Sequence, residues 1–233
     1  MALNDIRVTT FSDFKIGAAC ARQLVHPGVN LALTYSTNMA SLNKIVADTR
    51  SKNVTQSLRI SIHQVDGGYS DQIEFISQQI DLEHGQRPDI LISNARYGKR
   101  ILDVSDISVE EFDYTMNINL RATFILVKGV VEHMKAQRWG RIIFMSSIAA
   151  QGGGINGCPS KGGLTGMMKN LSTRLAEYNI SVNDVAPAMI GDTGMLSSAA
   201  VFPEVAASIP LKRLGIPAEK QRMLLPCWSR LGT

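Results

Sequence analysis

Six short runs of β-branched and aliphatic residues recur along the chain, and a stretch with helical spacing follows each of the first five. This alternation constrains the fold more than any other feature. The strand-like runs are "IRVTT" (6–10), "VNLALTY" (29–35), "QSLRISIHQV" (56–65), "DILIS" (89–93), "RIIFMSS" (141–147) and "ISVNDVA" (180–186). Between them, helices are predicted over 17–26, over 38–50 with Asn38 or Ser41 as opener, over 71–80, over 108–135 and over 159–178. Ser108-x-x-Glu111 gives the long fourth helix a capping box, and Pro159 is acceptable in the first turn of the fifth. Strands this apolar, separated by helices of this length, imply a parallel sheet covered on both faces. The expectation is a single doubly wound, Rossmann-like α/β domain over residues 1–233.

In such a fold the loops after the strands gather at one edge, where ligands bind. The turn after the first strand commonly cradles a pyrophosphate on backbone N–H groups at a helix N-terminus. Gly17 is present there, but Phe11, Phe14 and Lys15 stand where glycines would let the backbone approach. After the second strand, Ser36 supplies no carboxylate for a ribose 2′-hydroxyl, which points to the 2′-phosphorylated dinucleotide if one binds.

Composition excludes several other classes. The net charge is +4, yet pairs such as Lys99-Arg100 and Lys212-Arg213 are scattered and form no nucleic-acid stripe. Cys20, Cys158 and Cys227 lie far apart, which fits free thiols in a reducing compartment, and the four histidines (26, 63, 84, 133) lack ligand spacing and read as surface or packing residues. No apolar run approaches the length of a membrane span, and the start has no basic-then-apolar signal pattern, so a cytoplasmic location is expected.

Five segments then occur in order: "SNARYG", "MNINL", "RIIFMSSIAAQGG", "SKGGLTGMMKNLSTRLAEYNISVNDVAPAMIGDTGM" and "IPLKRLGIPAE". Together they resemble the short-chain dehydrogenase/reductase family, in its 3-oxoacyl-[acyl-carrier-protein]-reductase-like branch, from about residue 16 to residue 219. The resemblance implies NADP(H) as cofactor and a small-molecule carbonyl substrate, with no nucleic acid or membrane as partner. It implies catalytic roles for Asn119, Ser147 and Lys161. Cofactor contacts are implied at Ile16, Gly17, Ser36, Asp66, Asn94, Ala95, Lys161, Pro187, Ile190 and Thr193. Asp66 also reads as a loop cap, and Asn119 as a polar residue satisfying neighbouring backbone.

The family pairs its lysine with a tyrosine four residues earlier, whose phenol exchanges a proton with the substrate oxygen. Counting back from Lys161 reaches Gly157, so that donor is missing. Ser160, Cys158 and Tyr97 are the nearby candidates to replace it, although adjacent helical residues such as Ser160 and Lys161 point about 100° apart. Arg96 takes the place of a family glycine, and Ala188 that of another. From residue 219 the tail, "EKQRMLLPCWSRLGT", holds Pro226 and Trp228 where a final edge strand is expected, so the C-terminal edge reads as incomplete, with altered homo-oligomer contacts. Two functions follow: an impaired NADP(H)-dependent carbonyl reductase, or an inactive homologue acting as a binding or regulatory protein.

Overall fold

The computed structural model describes residues 6–11, 15–24, 29–52, 58–99, 101, 103–151, 158–191, 203–216 and 219. Six strands, β1 (Ile6–Phe11), β2 (Val29–Tyr35), β3 (Ile60–Gln64), β4 (Ile90–Ser93), β5 (Gly140–Met145) and β6 (Ile180–Val185), form one sheet in the order β3-β2-β1-β4-β5-β6. Every pairing is parallel. The strand order reverses between β1 and β4, and this opens a crevice beyond their C-terminal ends.

Every residue of β4 and β5 is buried, as strands covered on both faces require. Their side chains alternate between two cores. Leu91, Ile142 and Phe144 pack with α3 (Ser70–His84), α5 (Ala122–Gln137) and α6 (Cys158–Leu175). Ile90, Ile92, Ile143 and Met145 pack on the opposite face, against α1 (Lys15–Gln23) and α2 (Met39–Lys52). The period of two along each strand is what sends successive residues to opposite layers.

Helix ends follow local chemistry. The Ser108 hydroxyl accepts the Glu111 backbone N–H at 3.1 Å and so caps α4 (Val109–Met116) as the sequence predicts. Gly85, with φ of 76°, ends α3 in the left-handed conformation that glycine adopts without strain. A short helix, α7 (Pro203–Ser208), lies beyond the sheet strands in sequence, and Ile190 and Gly215 form an isolated parallel bridge.

Two expectations need correction. Among the described residues the third strand is Ile60–Gln64 and not the whole of 56–65: Leu58 and Arg59 precede it and Val65 follows it. The long helix over 108–135 is not continuous; a π turn at Asn117–Arg121 separates α4 from α5. Two of the histidines expected as surface or packing residues, His63 and His84, are buried and both bond Ser61 Oγ, at 2.8 and 2.7 Å. Among the described residues no seventh strand joins the sheet, and the atypical tail beyond Glu219 lies outside them. Among them, too, no helix is long and apolar enough to cross a membrane, and no cluster of ligating side chains could hold a metal ion.

Candidate active site

The crevice has a volume of about 160 Å³. Ser36 after β2, Asp66 after β3 and Ala95 and Arg96 after β4 contribute to its walls, and Tyr114 and Ile118 close it from the α4–α5 side. The Gln64 side-chain amide donates to the Ser36 carbonyl at 3.0 Å, fixing the loop after β2. Asp66 acts as a cap: its carboxylate accepts the Gly68 N–H at 2.9 Å, while its own N–H donates to Gln72 Oε1 at 2.9 Å. It lines the crevice as well, so both readings of this residue meet in one place.

Above the crevice the π turn organises a polar knot. A π turn carries one more residue than an α turn and re-aims what it contains. Asn119 within it is 1% exposed. Its Oδ1 accepts the Tyr97 N–H at 2.7 Å, and its Nδ2 donates to the Tyr97 carbonyl at 2.8 Å and to Ser160 Oγ at 3.1 Å. One side chain therefore ties the loop after β4 to the start of α6. Ser160 and Lys161, adjacent on α6, serve different partners.

Lys161 is buried, and its Nζ donates to the Met145 carbonyl at the end of β5 over 2.8 Å. Burial, followed by repulsion from Arg96, pushes the ammonium down to about 8, against partial support from Asp184. Arg96 keeps access to solvent, yet partial desolvation lowers its guanidinium pKa too. One helical turn beyond Lys161, Thr165 donates to Asp184 Oδ2 at 2.5 Å. Ser147 is half-buried directly after β5, and its carbonyl accepts the Ala150 N–H at 2.9 Å. The Pro187 carbonyl accepts the Ile148 N–H at 3.1 Å, which joins the loops after β5 and β6.

The remaining expected contacts are placed as follows. Ile16 packs on the core beneath α1 and Gly17 is buried in its first turn. Asn94 is buried at the end of β4. Ile190 sits in the bridge to Gly215. Gly157 and Thr193, the side chain of Cys158, and the Phe14 turn lie outside the described residues. Tyr97, a candidate replacement phenol, donates its hydroxyl to Glu111 Oε2 at 3.3 Å and stacks edge-on with Tyr114, ring centroids 4.7 Å apart. Burial and the Glu111 charge raise its pKa, the wrong direction for easy proton release at neutral pH. Sequence reasoning missed Asp184; the signal was an acid inside the strand-like run "ISVNDVA".

The family model described as short chain dehydrogenase matches residues 12–201. Dehydrogenase/reductase SDR family member 4 of Bos taurus is 31% identical over 222 residues, covering 93% of this chain and 77% of its own length. A 3-oxoacyl-[acyl-carrier-protein] reductase of Staphylococcus epidermidis is 30% identical over 217 residues, with 91% and 86% covered. In fold, the chain is similar to NAD+-bound xylitol dehydrogenase, with a TM-score of 0.84 at 24% identity over 97% of this chain and 93% of that one. A 3-oxoacyl-[acyl-carrier protein] reductase from Brucella melitensis gives 0.84 at 23% identity, with 98% and 86% covered.

Proposed function

Since the chain belongs to the short-chain dehydrogenase family of oxidoreductases, we propose that it binds a nicotinamide dinucleotide across the crevice and reduces a carbonyl compound of the 3-oxoacyl type, at a low rate. The observation that carries this reading is the buried Lys161 ammonium held on the Met145 carbonyl at the C-terminal end of β5. The residues present fit such a cofactor. Val65 and Ile118 offer apolar walls to a purine, with Ser36 and Asp66 at its ribose edge. Ser146 Oγ, directly after β5, is buried without a hydrogen-bond partner among the described residues, so a donor or acceptor of a bound group could satisfy it. Relatives named as 3-oxoacyl reductases support the substrate class, and Ser36 in place of an acid supports the 2′-phosphorylated form.

When bound, the dinucleotide supplies the hydride. Lys161 then holds the nicotinamide ribose and places positive charge beside the developing alkoxide. Ser147 donates to the carbonyl oxygen of the substrate. Asn119 fixes the Tyr97 loop and the head of α6, and so holds Lys161 in register. Gly157 has no proton to give, and loss of a positioned general acid lowers rates by about 10²–10⁴. Titration of NADPH fluorescence, followed by assay of 3-oxoacyl thioesters and simple ketones, tests the reading. Binding, with slow turnover that disappears in Lys161→Ala, is expected; no binding at millimolar NADPH rejects it.

One observation favours a second reading, an inactive homologue that binds the dinucleotide without turnover. Both N–H bonds of the Asn119 amide are committed to Tyr97 and Ser160, so they serve the framework of the site and neither is left for a bound group. NADPH binding with no ketone reduction would select it.

A further inference from the structure

A pyrophosphate is held either by a ring of backbone N–H groups or by cationic side chains. Glycines favour the first, and in this chain the sequence after β1 has one, Gly17, with Phe11, Phe14 and Lys15 before it. The second is present on the adjacent strand. β4 pairs directly with β1, with Phe11 opposite Ser93, so the loop that opens two residues later faces the same edge as that turn. Arg96 stands in this loop and helps to line the crevice with Ser36, Asp66 and Ala95.

We propose that Arg96 is the phosphate anchor of the crevice, its guanidinium taking the dinucleotide pyrophosphate that a glycine-rich first turn would otherwise cradle. The proposal rests on the dinucleotide reading above. Three features support it. A guanidinium presents five N–H donors in a planar fork that matches two phosphate oxygens at once, whereas a glycine here would offer one backbone N–H. Arg96 and Lys161 are close enough for their charges to repel, so an anion bound by Arg96 offsets part of that repulsion. Arg96 is also partly desolvated, which strengthens its attraction for an anion.

The test compares wild type with Arg96→Gly and Arg96→Lys. Calorimetry gives the Kd of NADPH and of ADP-ribose, which carries the pyrophosphate without the nicotinamide; NMR shift titration gives that of adenosine, which carries no phosphate. Thermal midpoints confirm that each variant is folded. The expected result is a tenfold to hundredfold loss of ADP-ribose and NADPH affinity in Arg96→Gly, partial recovery in Arg96→Lys, unchanged adenosine affinity and a shallower dependence on salt. Equal or tighter ADP-ribose binding by Arg96→Gly overturns the anchor and leaves the dinucleotide reading standing, because the arginine would then be neutral or an obstruction. An equal loss for adenosine also overturns it, since the effect would belong to the crevice as a whole. If wild type and Arg96→Gly both fail to bind any of the three, the dinucleotide reading falls and the anchor with it.

Discussion

Asn119 and Ser160 stand 41 residues apart in sequence and 3.1 Å apart in the fold, with the asparagine amide donating to the serine hydroxyl. Through that bond the π turn grips the first turn of α6, the helix that carries Lys161. Asn119 also holds both polar groups of the Tyr97 backbone. Asn119→Ala therefore strands the part-buried N–H and C=O of Tyr97, whereas Ser160→Ala leaves both of those bonds in place. The expected losses of stability are about 2–4 kcal/mol for the first and about 1 kcal/mol for the second, read from urea midpoints. Equal losses would mean that the Tyr97 contacts contribute nothing.

Lys161 makes stability depend on alkaline pH. Its folded-state pKa is about 8, against 10.5 for an ordinary lysine. Between those values the unfolded chain holds a proton that the folded chain has lost, so stability rises with pH across that window. Below about pH 8 the folded protein bears the cost of a buried ammonium. Lys161→Met removes it, so the variant's stability advantage over wild type should shrink by an amount on the order of 3 kcal/mol from pH 7.5 to pH 10.5. A gap that stays constant with pH would contradict the buried-charge account.

Restoring the missing proton donor should restore rate. With NADPH and a 3-oxoacyl thioester, Gly157→Tyr is expected to raise kcat by about 10² or more, with little change in cofactor Kd. Single-turnover measurement at saturating NADPH checks it. A variant that binds cofactor as wild type does and is no faster would show that something other than the phenol limits the chemistry.

Gly129 marks a tight contact between helices. A Cβ built at this position of α5 would meet the Ser77 side chain on α3, lying 3.1 Å from its Cβ and closer still to its hydroxyl. Gly129→Ala should destabilise by about 1–3 kcal/mol through overpacking. The double variant Gly129→Ala with Ser77→Gly removes the opposing side chain and should recover part of that loss. Thermal unfolding of the single and double variants decides the matter.

The framework of this fold was legible because strands such as β4 and β5 are buried on both faces, and burial leaves an unbroken aliphatic run in the sequence. Ser108 was legible for a local reason as well, since its cap partner is three residues away. The π turn was not. "MNINLRATF" continues a helical pattern, and the bonds from the widened turn to Tyr97 and Ser160 reach residues that no window along the chain contains. Asn119, Ser147 and Lys161 were found through resemblance to a family. Their partners, the Met145 carbonyl for Lys161 and the neighbouring charges of Arg96 and Asp184, emerged only when separate strands were laid side by side.

The widened turn has an evolutionary corollary. Deleting any one residue between 117 and 121 would let α4 and α5 fuse into one regular rod, at small loss of local hydrogen bonding. Everything upstream would then swivel about the rod axis by about 100° relative to everything downstream. The amide of Asn119 would swing off the Tyr97 backbone, and the roof of the crevice would lose its alignment. A frame-preserving deletion here is thus a torsional mutation, and apart from Asn119 these positions should tolerate substitution far better than a change in their number.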